Sequence, residues 1–128
     1  MNQYQFNSLN LIRKLIVKAA DLPIEKFEDM VNYQEYNEDG VYKQVRIQSS
    51  IGMIQLVYNE SHFGKDAYKI IVVSEGDQIL NVVVREEEFP LIYSSLSNEL
   101  EIIESRYYGL TEKKLEDLVE KFNKLLED

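Results

Sequence analysis

The chain has 128 residues, 45% of them hydrophobic, enough apolar mass for one domain spanning residues 1–128 to bury a core without staples. It holds no cysteine and one histidine, which excludes disulfides, thiolate metal sites and two-histidine metal motifs. The net charge of −9 is uneven: residues 1–85 carry 9 basic and 11 acidic side chains and residues 86–128 carry 5 and 12, so the second segment would repel nucleic acid and anionic membranes and attract a basic protein.

The opening run MNQYQFNSLNLIRKLIVKAA has no basic segment ahead of its apolar residues, and Arg13, Lys14 and Lys18 interrupt it. It therefore reads as neither a signal peptide nor a membrane span. With the missing cysteines, this makes the cytoplasm the expected compartment. Ser8 suits an N-cap, and Leu9, Ile12, Leu15, Ile16 and Ala19 follow at helical spacing. Pro23 opens a short second helix, PIEKFEDM.

From Val31 to Arg85 the period changes to two and β-branched residues dominate. Glu38-Asp39-Gly40 resembles a three-residue hairpin loop, which would set Asn37 opposite Val41. Val31 then pairs with Ile47 and Tyr33 with Val45 on one face. Tyr36 pairs with Tyr42, Gln34 with Gln44 and Asn32 with Arg46 on the other. A slip of one residue would set apolar against polar side chains, so the pattern fixes the register. Turning at Ser50-Ile51 brings Ile54 and Leu56 to the apolar side and Met53 and Gln55 to the polar side. NESHFGKD is a loop. AYKIIVV and ILNVVVR form a hairpin around EGDQ, with Ile71, Val73, Leu80, Val82 and Val84 on one face and Tyr68, Ile70, Val72, Asn81 and Val83 on the reverse. Their apolar content predicts fuller cover than for the first three strands.

Pro90 starts a helix whose stripe is Phe89, Ile92, Leu96, Leu100, Ile103 and Tyr107. Gly109 is placed to end it, and Thr111 to cap a last helix with Leu115, Leu118, Phe122 and Leu125 on one side. The expected fold is α+β: a five-stranded antiparallel meander with N-terminal helices and a C-terminal antiparallel helix pair packed on it.

Conventional catalytic patterns are sparse. His62, in a polar loop beside Ser61, has no second histidine to work with, and adjacency does not make a nucleophile–base pair. Glu86, Glu87 and Glu88 precede a helix start, where negative charge is favourable for structural reasons. The five glycines are isolated and build no phosphate cradle. No cofactor and no metal is expected, and the chain reads as non-enzymatic.

The polar face of the first three strands is the candidate site: Gln34, Tyr36, Tyr42, Gln44, Arg46 and Gln55. Tyrosine and arginine supply contact area and hydrogen bonding together, which protein interfaces favour. A solvated sheet face also carries such residues. The expectation is a protein-binding module of adaptor, chaperone, immunity or inhibitor type, able to form a homodimer, with its acidic C-terminal helices selecting a basic partner and no direct contact with nucleic acid or membrane. Two alternatives stand beside it. One is an acidic mimic of nucleic acid, which Lys113, Lys114, Lys121 and Lys124 interrupt. The other is a small-ligand sensor or enzyme with a tyrosine-lined pocket containing His62 or Arg46.

Overall fold

The computed structural model describes residues 1–37, 40–60 and 66–127. The described residues form helices α1 (Gln3–Ala20) and α2 (Ile24–Met30), strands β1 (Val31–Tyr36), β2 (Tyr42–Ser49), β3 (Gly52–Asn59), β4 (Ala67–Ser74) and β5 (Asp77–Arg85), and helix α3 (Pro90–Leu126). The fold is α+β, with the strands in the order β1-β2-β3-β4-β5 and every neighbouring pair antiparallel.

Asn2 rather than Ser8 starts α1. Its Oδ1 accepts from Gln5 N at 2.8 Å, and Gln5 Oε1 accepts from Asn2 N at 3.1 Å. This reciprocal capping box satisfies two of the donors a helix start leaves unpaired, so the helix begins more than a turn before Ser8. Phe6 in that extra turn stacks against Phe89, ring centres 5.8 Å apart, which ties it to the start of α3.

One face of the sheet carries the core. Val31, Tyr33, Val45, Leu56, Ile70, Val72, Leu80, Val82 and Val84 join Leu9, Ile16, Phe27, Leu96, Leu100 and Ile103 in a single buried cluster. All three helices therefore lie on that face, and the cluster takes no residue from the other. The pairings of β1 with β2 and β2 with β3 match the alternation pattern, with Val31 opposite Ile47 and Val45 opposite Leu56.

The β4–β5 pairing corrects the sequence expectation. Glu75 and Gly76, at φ of 53° and 84°, form a two-residue turn between Ser74 and Asp77. Positive φ at both central residues matches the right-handed twist of the strands. Past that turn Val73 pairs with Gln78 but Val72 pairs with Leu80, a bulge that leaves Ile79 over. One surplus residue inverts the alternation. Tyr68, Ile70 and Val72 thus share the covered face with Leu80, Val82 and Val84, while Ile71 and Val73 turn to the open face. The fuller cover expected for β4 and β5 is found in β4, where Lys69 alone is exposed, but not in β5, where alternate residues are exposed and Val83 is 41% exposed.

The C-terminal helix pair is also corrected. α3 runs unbroken from Pro90 to Leu126, 37 residues, about 55 Å at 1.5 Å per residue. Gly109 permits a left-handed stop but does not require one. Its helix-interior cost, about 1 kcal/mol relative to alanine, is outweighed by continuing the hydrogen-bond ladder. Thr111 Oγ1 bonds back to the Tyr107 carbonyl at 3.1 Å instead of capping a new helix. Arg106 pins α3 to the rest: its guanidinium donates to the carbonyls of Ala20 and Leu22, both at 2.6 Å, and lies 4.2 Å above the Phe27 ring. It thereby caps the α1 C-terminus with positive charge.

Candidate functional site

The register places Gln34, Tyr36, Tyr42, Gln44, Arg46 and Gln55 together on the open face, and Val45 between them points inward and is fully buried. Their side chains form one connected chain. Tyr36 Oη donates to Gln34 Oε1 at 3.3 Å, and the Tyr36 and Tyr42 rings lie 5.8 Å apart. Gln44 is the hub. Its neighbours orient its carboxamide with the nitrogen donating to Tyr42 Oη at 2.8 Å and the oxygen accepting from Arg46 Nη2 at 3.0 Å and Gln55 Nε2 at 3.1 Å. Only 6% of Gln44 is exposed, although no helix lies above it; the surrounding side chains shield it. A shielded carboxamide with filled partners holds Tyr42 and Arg46 in defined positions.

Beside this polar cluster lies an apolar strip that the alternation pattern misses in β4. The bulge brings Ile71 and Val73 to the same face as Met53 and Val57 of β3, and all but Val57 remain half-buried without helical cover. Two sequence signals point to it: Glu75-Gly76 as a two-residue turn, and the surplus residue Ile79 that this turn leaves in the pairing. The open face is thus polar and tyrosine-rich over β1 and β2, with Gln55 of β3 joining it, and carries the aliphatic side chains Met53, Val57, Ile71 and Val73 over β3 and β4, with Lys69 at one end.

A second feature lies on the opposite side of the sheet. A cleft of about 430 Å³ opens between α3 and the ends of the strands, lined by Tyr58, Tyr68 and Tyr93 and by Glu35, Glu101 and Glu104 among others. Lys43 Nζ crosses part of it to reach Glu104 at 3.0 Å. At its rim Tyr108 Oη donates to Glu35 Oε2 at 2.6 Å, Tyr33 Oη to the same oxygen at 3.2 Å, and Tyr58 Oη to Asp66 at 3.0 Å. Burial pushes the Tyr93 phenol up to about 12, with the neighbouring Tyr68 and Asp66 adding to it. Burial likewise raises Tyr33 and Tyr58, aided by Glu104 and Glu35 in one case and Asp66 in the other. These phenols stay protonated at neutral pH and act as hydrogen-bond donors. Arg46 does not line the cleft, because it stands on the other face. Ser61, His62 and the loop residues Glu38 and Asp39 lie outside the described residues.

Among the described residues no group of three histidine, aspartate or glutamate side chains is placed to hold a metal ion, and no helix is long and apolar enough to cross a membrane. No family model matches the chain, and neither curated proteins nor solved structures yield a match.

Proposed function

We propose that this chain is a non-enzymatic protein-binding module, of the adaptor, chaperone, immunity or inhibitor kind, whose open sheet face docks a partner protein. One observation carries the reading: Tyr36, Tyr42 and Arg46 are held in a connected cluster around the shielded Gln44, on a face with no helix over it and beside an uncovered aliphatic strip. Aromatic and arginine anchors beside apolar area are what interface centres use, and a merely wetted face needs no such strip. The surplus acid of residues 86–128 favours a basic partner and speeds its approach. The nucleic-acid mimic ranks below this, since lysines interleave with the acids along α3.

The test begins with affinity capture from the native host and identification of what co-purifies. Binding to the purified partner is then measured for the wild type, Tyr42→Ala and Arg46→Glu. Both variants should melt close to wild type and bind at least tenfold more weakly, since anchors contribute about 1–2 kcal/mol or more. Undiminished binding by both would rule this face out.

The cleft favours a second reading, a sensor of a small cationic ligand. Phenol faces attract cations, and Glu35 and Glu101 supply counter-charge beyond the Glu104 already paired with Lys43. Titration with organic amines, read by tyrosine fluorescence and melting, separates it from the first: saturable binding lost in Tyr93→Ala but kept in Arg46→Glu would favour the cleft.

A further inference from the structure

The last four turns of α3 leave the body. Tyr107 and Leu110 still pack against the core, and Lys114 Nζ reaches Glu28 of α2 at 3.1 Å. Beyond them Leu115, Leu118, Phe122 and Leu125 continue the spacing of the body-facing stripe, and Val119 and Leu126 widen it. These six side chains range from 49% exposed at Leu118 to 80% at Leu126. Residues 111–126 project about 24 Å at 1.5 Å per residue. A free helix of this length is marginal in water, and an uncovered apolar stripe of this size marks a contact surface.

We propose that this arm pairs with the arm of a second copy of the chain, antiparallel, about a two-fold axis near residue 120. The surface is distinct from the open sheet face, and the inference does not depend on the function assigned to that face. The direction follows from the root of the arm. Tyr108 there donates to Glu35 of β1 at 2.6 Å, so the strand already fills the space along which a parallel helix would run. An antiparallel helix ends at that point and carries its own body out beyond the tip of the first.

Side-chain complementarity selects a second copy. One border of the stripe reads Lys114, Asp117, Lys121, Lys124. Reversed against itself about residue 120, it sets Asp117 beside Lys124 of the second copy, twice by symmetry, against one like-charge contact of Lys121 with its own copy at the axis, and stacks Leu115 on Leu125 and Leu118 on Phe122. Residues 111–127 hold 4 basic and 5 acidic side chains, so the arm is nearly neutral in a chain of net charge −9 and does not repel its own copy. The same near-neutrality gives a strongly basic partner little reason to choose the arm. The six side chains, at least half exposed or nearly so, are the apolar surface the pairing covers, and an interface confined to two such arms belongs to the small end of specific interfaces.

Sedimentation equilibrium over a wide concentration range tests the pairing. Twice the 15.1 kDa chain mass is expected for the wild type, and the single-chain mass for a Leu118→Glu, Phe122→Glu variant with unchanged melting of the body. A wild type that stays at single-chain mass, one that grows beyond two copies, or a variant that still dimerises would each overturn the proposal. Cysteine probes test the direction without charging the stripe. On mild oxidation, a mixture of Leu115→Cys and Leu125→Cys chains should cross-link 115 to 125 faster than 115 to 115. The reverse preference would overturn the antiparallel arrangement.

Discussion

Ile70 and Ile71 are adjacent and chemically identical, the pleat sends them to opposite faces, and the bulge beyond Val72 settles that Ile70 is the one that shares the covered face with Val82. Ile70 is fully buried in the core, opposite Leu56 and Val82, whereas Ile71 is half-buried on the open face beside Gln55 and Asn81. Truncating Ile70 to alanine removes three carbon centres, about 2.4 kcal/mol at about 0.8 kcal/mol each, and the cavity left behind adds to that, for a loss of about 3–4 kcal/mol. The same change at Ile71 leaves no enclosed cavity and forfeits only partial burial, about 1 kcal/mol. Urea unfolding followed by circular dichroism gives both values at unchanged slope. In a thermal melt the gap of about 2–3 kcal/mol separates the two midpoints by about 8 °C. Should Ile71→Ala prove the more damaging, the strand faces the other way, and the apolar strip on the open face is lost with it.

Arg106→Met keeps the stem but leaves the Ala20 and Leu22 carbonyls without their charged donor, and should cost about 2–4 kcal/mol in the same unfolding assay. The tyrosines with raised pKa give a pH dependence. Tyr93 loses its proton at about 12 in the folded chain against 10.0 as its ordinary value, so the folded state binds more protons between those limits. Stability from this group is intact below pH 10 and drains away as pH rises toward 12. Tyr33, Tyr58, Tyr68 and Tyr108 shift the same way and steepen the fall. Absorbance at the phenolate band should therefore lose a late-titrating phenol in Tyr93→Phe, and an unchanged titration curve would refute the raised value.

Most of the architecture is legible in residue spacing, and each departure has a local cause. The β1–β2–β3 register could be read because Val31, Val45 and Leu56 alternate with Asn32, Gln44 and Gln55, so any slip buries amides. β4 and β5 offered no such contrast. Ile70, Ile71, Val72 and Val73 are all apolar, and only the turn geometry at Glu75-Gly76 decides which pair faces inward. Gly109 misled for a related reason, because glycine allows a helix stop without enforcing it, and Thr111 met a carbonyl four residues back. The six candidate residues could be placed on one face from alternation alone. Their linkage through a shielded Gln44 could not, since it depends on rotamers that spacing does not report.

The two surfaces together make a prediction neither makes alone. α3 packs on the covered side of the sheet, so an arm-to-arm dimer leaves both open faces uncovered by its own helices. Such a dimer presents two copies of the same docking face on one frame. A partner that is itself dimeric, or displayed densely on a surface, would bind it with an avidity gain on the order of 10²–10⁴ over a single site, provided the spacing of its sites matches. The Leu118→Glu, Phe122→Glu variant removes that gain without touching the open face, so affinity for a single immobilised partner at sparse density should be unchanged while retention on a dense surface falls. Arg46→Glu should weaken both. Loss of sparse-surface binding in the arm variant would mean that the arm itself meets the partner, and the separation of the two surfaces would fail.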